Sequence, residues 1–378
     1  MSSKRVALPI YPPRGNARFR GRGVISNATG RFEKESREDF NDGWEPHEAP
    51  PSALRTLVTD EAARSVISPN DSPDISFDRA VNPYRGCEHG CVYCYARPNH
   101  AYVGLSPGLD FETRLFAKSN AAEALEAELR APGYRPSVLM LSGVTDCYQP
   151  IERERRITRK LLETLLAFRH PVAIITKSAL ILRDLDILSE MARLGLVKAA
   201  LSITTLNRGL ARRMEPRASA PHRRLEAVAG LAAAGVPVSV MMAPIVPGLT
   251  DHEIEDVLKA ASRAGARAAG YVLLRLPLEV RDLVHEFLDE AIPERAARIK
   301  RLIRDTRGGA DYQSAFGLRQ RGTGPYAAQI AARFHAALKR HGLDRPSLAL
   351  DTSQFRAPPR PGDQLPLFDG GLPLASGA

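Results

Sequence analysis

The sequence predicts an α/β fold of repeated strand–helix units, and three observations carry that prediction. Short runs rich in Val, Ile and Leu recur between residues 137 and 277, each of strand length. Between them lie segments with apolar residues at helical spacing, three of which run out at Gly195, Gly235 and Gly265, as helices closed by a left-handed residue do. The chain is 378 residues long and 44% apolar, enough to bury a full core as one large domain plus tails or as two modest domains, and too apolar for a disordered polymer. Strands that alternate with helices lie parallel, and such an array either curls into a barrel or opens as a doubly wound sheet. In both, chemistry gathers at the C-terminal ends of the strands.

The elements follow in order. Residues 1–50 mix Arg, Gly, Pro and Asn without a sustained apolar period and predict an irregular basic arm. Its first 24 residues hold Lys4, Arg5, Arg14, Arg18, Arg20 and Arg22 and no acid, which suits either a solvated tail or contact with nucleic acid. The core spans 75–280. Its strands are expected in "DISFDRAVNP" (74–83), "SVLMLSGV" (137–144), "VAIITKS" (172–178), "VKAALSITT" (197–205), "VPVSVMMAPIVPG" (236–248) and "AAGYVLLRLP" (268–277). Helices are expected near 119–131 and in "ERERRITRKLLETLLAFRH" (152–170), "LILRDLDILSEMARLG" (180–195), "APHRRLEAVAGLAAAG" (220–235) and "TDHEIEDVLKAASRAG" (250–265). Six strand–helix units result. A helical extension covers 281–345, and 355–378 is a Pro- and Gly-rich flexible tail.

Charge and cysteine usage narrow the setting. Fifty-three Lys and Arg against 43 Asp and Glu leave a formal charge of +10, which favours a polyanionic partner such as nucleic acid. Lys4 and Arg5 precede an apolar stretch too short and Pro-broken for a signal peptide, and no apolar run is long enough to span a membrane, so a cytoplasmic protein is expected. Four cysteines, three of them within eight positions, fit metal binding in a reducing compartment better than a disulfide framework.

Those three are Cys87, Cys91 and Cys94, spaced C-x3-C-x2-C in "NPYRGCEHGCVYCYARPNH", just after the first predicted strand. A closed zinc site needs a fourth protein ligand, for which His89 and His100 are the nearby choices; an iron–sulfur cube held by three thiolates keeps one iron open for a small chelating ligand. With Tyr93 before the last cysteine and Tyr95 after it, the segment resembles the radical S-adenosylmethionine (SAM) superfamily. The resemblance implies a partial (β/α)6 TIM-type barrel, a [4Fe-4S] cluster whose open iron binds the amine and carboxylate of SAM, reductive cleavage to a 5′-deoxyadenosyl radical, and a one-electron donor of the flavodoxin or ferredoxin type.

Within that superfamily the chain resembles the spore photoproduct lyase branch of DNA repair enzymes, over residues 75–280, through "GCVYCYA", "SGVTDCYQPIE", "ITKS", "LSITTLN" and "APIVPGLTD". The likeness implies that Thr145 and Asp146 lie where the amino group of SAM is expected, and that Lys177 and Ser202 contact SAM. One departure is plain: the lyase's hydrogen-donating cysteine precedes this aspartate, whereas here Gly143 stands in about that place and Cys147 follows Asp146. Cys147 is therefore either a donor from a shifted position or a small buried side chain. The acidic and basic residues of "RMEPRASAPHRR", namely Glu215, Arg217, Arg223 and Arg224, are placed on the active face as a clamp for the SAM carboxylate or a substrate phosphate, or else as a charge cluster flanking a helix. "DYQSAFGLRQRGTGPYAAQI" (311–330) interleaves Tyr312, Phe316 and Tyr326 with Arg319 and Arg321, as nucleic-acid stacking requires and as ordinary helix packing also allows. In the tail, Gln364, Leu365, Leu367 and Phe368 match the Gln-Leu-x-Leu-Phe peptide by which bacterial repair proteins dock on the sliding clamp. The expected function is a radical SAM enzyme acting on damaged or modified nucleic acid; the alternatives are a protein or RNA substrate, or a non-catalytic zinc or nucleic-acid-binding module.

Overall fold

The computed structural model describes residues 19–33 and 54–360. Its strands, in chain order, are β1 (Leu57–Glu61), β2 (Ile67–Pro69), β3 (Arg79–Val81), β4 (Tyr84–Arg85), β5 (Arg114–Lys118), β6 (Leu139–Leu141), β7 (Val172–Thr176), β8 (Val197–Ser202), β9 (Val238–Ile245) and β10 (Ala268–Leu273). Seven of them form one sheet in the order β10-β9-β8-β7-β6-β3-β2. The contacts from β3 through β10 are all parallel, and β2 lies antiparallel on the outer edge of β3.

That order decides between the two architectures left open by the strand pattern. A doubly wound sheet reverses its strand order at a switch point, and here the six parallel strands follow one another without reversal. Nor do β2 and β10 pair with each other, so the sheet curls without closing and makes a partial (β/α)6 barrel.

The helices form the outer layer for the reason their spacing foretold. Helix Ile157–Ala167 buries Ile157, Leu161, Leu162 and Leu165, a stripe at i, i+4, i+5 and i+8. Helices Leu185–Arg193, Pro221–Ala233 and Ile254–Arg263 each end two residues before Gly195, Gly235 or Gly265, whose φ of 69°, 77° and 93° lets the chain turn back toward the next strand. The strands are shorter than the runs that predicted them. The run 137–144 pairs only over β6, because Ser142 turns the chain away at φ 78°, its hydroxyl donating to the Thr145 carbonyl at 2.7 Å and accepting from the Cys147 N–H at 3.0 Å.

The region after β10 is helical, with Val280–Ala291, Pro293–Asp305, Leu318–Arg321 and Gly324–Arg340. The last of these packs on the barrel itself: Phe334 meets Tyr271 at 4.6 Å between ring centres, and Arg333 pairs with Glu255 at 2.6 Å. A small sheet, β1-β5-β4, was not legible from the strand pattern and stands beside the cysteine segment. Residues 19–33 carry no regular element, yet Arg22 is buried, donating to the carbonyls of Glu112 at 2.9 Å and Leu54 at 2.5 Å and to Thr56 Oγ1 at 2.9 Å. Arg22 is thus a structural clamp, which corrects its place among the basic side chains offered to nucleic acid. Lys4, Arg5, Arg14, Arg18 and the tail residues Gln364, Leu365, Leu367 and Phe368 lie outside the described residues.

Candidate active site

The cysteine segment leaves β4 and runs across the C-terminal mouth of the barrel. Two turns need glycine: Gly90 has φ 64° and a Cβ there would stand 2.6 Å from Glu112 Oε2, while a Cβ on Gly23 would overlap the Gly90 carbonyl. Beneath these turns lies a buried ion pair, Arg97–Glu112, at 2.5 Å, with neither side chain exposed. Arg97 also donates to the carbonyls of Cys91 at 2.9 Å, Pro107 at 3.1 Å and Gly108 at 2.9 Å. Glu112 accepts the N–H groups of Gly23 at 2.8 Å and Val24 at 3.2 Å, so one carboxylate ties the N-terminal segment, the cysteine loop and helix Leu109–Thr113 together. Gln149 completes the frame by accepting the Glu88 N–H at 2.8 Å and donating to the Gly86 carbonyl at 3.3 Å.

Within this frame Cys87 and Cys91 are buried, Cys94 is half-buried, and all three are free thiols. Burial pushes each thiol up from its ordinary pKa. The charges of Asp146, Cys91 and Cys94 add to this at Cys87, and that of Glu215 at Cys91, while Lys177 opposes it at Cys91 and Arg97 at Cys94. Buried thiols crowded in this way become thiolates only when a metal supplies the compensating positive charge. Among the described residues no three His, Cys, Asp or Glu side chains converge as the ligands of one ion would. A [4Fe-4S] cube places its thiolates on different irons, so three cysteines along one loop with no completing fourth ligand fit that group.

Facing the loop, the ends of β6, β7 and β8 carry the polar residues expected there. Asp146 Oδ1 accepts from Thr176 Oγ1 at 2.7 Å and from the Tyr148 N–H at 2.9 Å. Its Oδ2 accepts the Lys177 N–H at 2.8 Å and lies 3.3 Å from His89 Nδ1. Burial alone would raise its pKa, but His89 and these hydrogen bonds outweigh it and hold the carboxyl at about 2. Both oxygens are engaged, so Asp146 braces the cysteine loop against β7. Thr145 is similarly occupied, donating to the Tyr84 carbonyl at 2.9 Å.

Lys177 is the half-buried head of a buried network. Its Nζ donates to Ser202 Oγ at 2.5 Å and to the Ala243 carbonyl at 3.2 Å, stands 3.9 Å from Glu215 Oε1, and lies 5.8 Å from the centre of the Tyr93 ring. Burial lowers its pKa. Glu215 is already paired with Arg224 and hydrogen-bonded by Tyr93 Oη and by Thr204 Oγ1, the latter at 2.8 Å. Arg224 in turn donates to the carbonyls of Ser202 at 2.9 Å and Ser219 at 2.7 Å. Two cations thus share one carboxylate, and the surplus positive charge lies toward Cys91 and Cys94.

The structure therefore brings together Cys87, Cys91, Cys94, Asp146, Lys177, Ser202, Glu215 and Arg224. It does not bring in Arg217, Arg223 or Cys147. Arg217 lies at the rim, bonded to Glu88 Oε1 at 3.0 Å; Arg223 is an exposed helix residue paired with Glu226. Cys147 has no exposed surface and belongs to the apolar core with Tyr84 and Tyr148, its thiol raised by burial. The hydrogen-donor expectation for Cys147 is corrected accordingly: it is a small core side chain. Arg319 is committed to Asp74 and Ser72, while Arg321 is exposed and lies over the Tyr271 ring at 4.4 Å. His89, Arg97 and Glu112 are the site-forming residues that sequence patterning did not single out for these roles, since isolated charged residues in a loop read as solvent-facing.

Comparison with known proteins agrees with this geometry. Residues 81–261 match the Radical SAM superfamily. The chain is 35% identical over 232 residues to the uncharacterized protein Rv2578c of Mycobacterium tuberculosis, covering 61% of this chain and 68% of that one. It is 27% identical over 191 residues to the uncharacterized protein MJ0683 of Methanocaldococcus jannaschii, covering 50% and 68%. In fold it is similar to spore photoproduct lyase complexed with dinucleoside spore photoproduct, with a TM-score of 0.52 at 15% identity over 75% of this chain and 78% of that one. On its barrel, its cysteine loop and these matches, the chain belongs to the radical SAM superfamily, whose cofactors are a [4Fe-4S] cluster and SAM.

Proposed function

We propose that this protein is a radical SAM enzyme whose Cys87, Cys91 and Cys94 hold the cluster and whose substrate is a damaged or modified nucleic acid. The observation that carries the reading is the surplus positive charge at Lys177, an ammonium bonded to two neutral oxygens, 3.9 Å from a Glu215 that Arg224 already holds, and acting on the Cys91 and Cys94 thiols at the mouth of a partial barrel. Held by Cys87, Cys91 and Cys94 and given one electron by an external donor, the cluster with SAM would supply hydrogen-atom abstraction from the substrate.

The chain's own residues do the positioning. Lys177 and Ser202 would hold the carboxylate of SAM by charge and hydrogen bond. Arg224 and Glu215 fix Lys177 in place, and Asp146 with His89 keeps the cysteine loop registered against β7. The buried Arg97–Glu112 pair makes the floor of the loop rigid and dry, which protects a radical from water.

The nucleic-acid substrate is supported by the formal charge of +10 and by the lyase-like barrel. Spore photoproduct itself is not proposed, because Cys147 is sealed in the core. The sliding clamp is proposed as a partner through Gln364, Leu365, Leu367 and Phe368, a tethered peptide that pays an ordering cost and so binds weakly. Titrating a purified bacterial clamp with the 355–378 peptide and its Leu367→Ala, Phe368→Ala form tests the docking, and equal binding by the two defeats it. For the enzyme, metal analysis after anaerobic reconstitution is decisive: iron with sulfide is expected, and zinc without sulfide overturns the reading.

A further inference from the structure

A second charged cluster lies beside the cysteine loop, at the end of β10, and neither the thiols nor the Lys177 network uses it. Arg275 sets its guanidinium 5.4 Å from the centre of the Tyr95 ring and donates to Tyr312 Oη at 3.4 Å, while its buried Nε has no hydrogen-bond partner. Behind it is Arg307, buried, with its terminal nitrogens on the carbonyls of Leu274 at 2.6 Å, Leu318 at 3.0 Å and Leu273 at 3.3 Å, and its Nε also without a partner. Burial, and then the neighbouring charge of Arg275, lowers the pKa of Arg307 to about 10.

No carboxylate among the described residues forms an ion pair with either arginine. Of the acids of the adjoining segments, Asp311 lies 3.5 Å from both His285 and Arg304, Glu279 is 2.7 Å from Arg31, and Asp74, although in the field of Arg275, is held by Arg319. Two guanidiniums in each other's field, neither in an ion pair among the described residues, concentrate positive charge at the half-buried Arg275, and an oxyanion held there would balance it. The surroundings select among oxyanions. Tyr95 is 47% exposed and follows Cys94 directly, so an anion held at Arg275 sets whatever adjoins it against an aromatic face at the edge of the cysteine loop. Charge alternating with an aromatic face is how a single nucleic-acid strand is held, with its phosphate on the cation and its base on the ring.

The geometry points to Arg275, backed by Arg307 and flanked by Tyr95 and Tyr312, as a subsite for a phosphodiester of the substrate, an inference that rests on the nucleic-acid reading above. The test is fluorescence anisotropy of a labelled single-stranded oligodeoxynucleotide with the full-length reconstituted protein, as wild type, Arg275→Gln, Arg275→Lys and Arg223→Gln, across a salt series. A poly-glutamate peptide serves as competitor, and iron content is measured on every sample to certify the fold.

Arg275→Gln is expected to weaken binding about tenfold and to reduce the slope of log affinity against log salt by about 0.7, the share of one phosphate contact on a single strand. Arg275→Lys should keep the slope, and Arg223→Gln should change neither quantity. Wild-type binding with an unaltered slope in iron-replete Arg275→Gln overturns the subsite and leaves the nucleic-acid reading standing. Absence of wild-type binding at low salt overturns that reading itself. Arg275-dependent binding of poly-glutamate in preference to the oligonucleotide overturns the phosphodiester assignment.

Discussion

At the C-terminal ends of its strands the barrel buries charge, and at the N-terminal ends it buries rings. The upper end holds Arg97–Glu112, Arg224–Glu215 and His89–Asp146, three pairs in which each side chain is nearly or wholly withdrawn from solvent. The lower end is closed by Tyr134, Phe168, His170 and Phe355, with ring centres 5.4 to 6.2 Å apart, and by residues 351–356 running back across the strand starts through Asp351 N–H to the Gly195 carbonyl and Arg356 N–H to the Phe168 carbonyl. Buried ion pairs add little net stability for their desolvation cost, whereas apolar burial adds it directly. The difference teaches that the lower end keeps the barrel folded and the upper end spends stability to hold reactive groups in register.

Substitutions at the two ends should therefore separate cofactor content from folding. The largest effect is expected for Cys87→Ala, Cys91→Ala and Cys94→Ala, each of which should abolish the iron chromophore, while Cys147→Ala, in the core, should retain it; iron and sulfide assays decide. Next comes Glu112→Gln, which leaves Arg97 buried without its counter-charge and should cost about 3–5 kcal/mol in denaturant unfolding. It should also lower iron retention, because the cysteine loop and residues 23–24 lose their common anchor.

At the lower end, His170 is buried against Tyr134, and burial lowers its pKa to about 4. Its ring is neutral in the fold and charged in the unfolded chain below about 6.5, so its stabilising share is complete above that pH and is lost as pH falls toward 4. The loss is at most about 3 kcal/mol. His170→Gln should flatten this acid slope in urea melts between pH 7 and 4. The smallest effect is expected for Phe355→Ala. The ring is only partly buried, so about 1–2 kcal/mol should be lost, with iron content unchanged. A drop in iron content with either lower-end variant under conditions where it remains folded would break the division of labour.

The same contrast explains what was legible in the sequence. Runs such as "VAIITKS" and the glycines at 195, 235 and 265 report strands and helix ends because burial and left-handed turns restrict residue type. That Cys87, Cys91, Cys94, Lys177 and Ser202 lie together was legible because motif and strand end coincide. The sheet β1-β5-β4 was not, since β4 has two residues and β1 is mostly exposed, so their register depends on contacts far along the chain. Arg22, Arg97 and Glu112 were hidden for a different reason: a charged residue gives no local sign that its partner lies tens of residues away in a dry interior. The turn at Ser142, just before Asp146 and Cys147, was hidden too, because no pattern of polarity announces a left-handed backbone.

The central claim is that the three-thiol loop and the Lys177 network together bind a [4Fe-4S] cluster and cleave SAM. Its most direct test is anaerobic reconstitution with iron and sulfide, reduction with dithionite in the presence of SAM, and chromatographic assay of 5′-deoxyadenosine. The account predicts a brown protein holding about four irons and four sulfides that forms 5′-deoxyadenosine, and an equally brown Lys177→Ala variant with weakened SAM binding and much reduced product. A protein that takes up the full cluster yet forms no 5′-deoxyadenosine with SAM and reductant would contradict it.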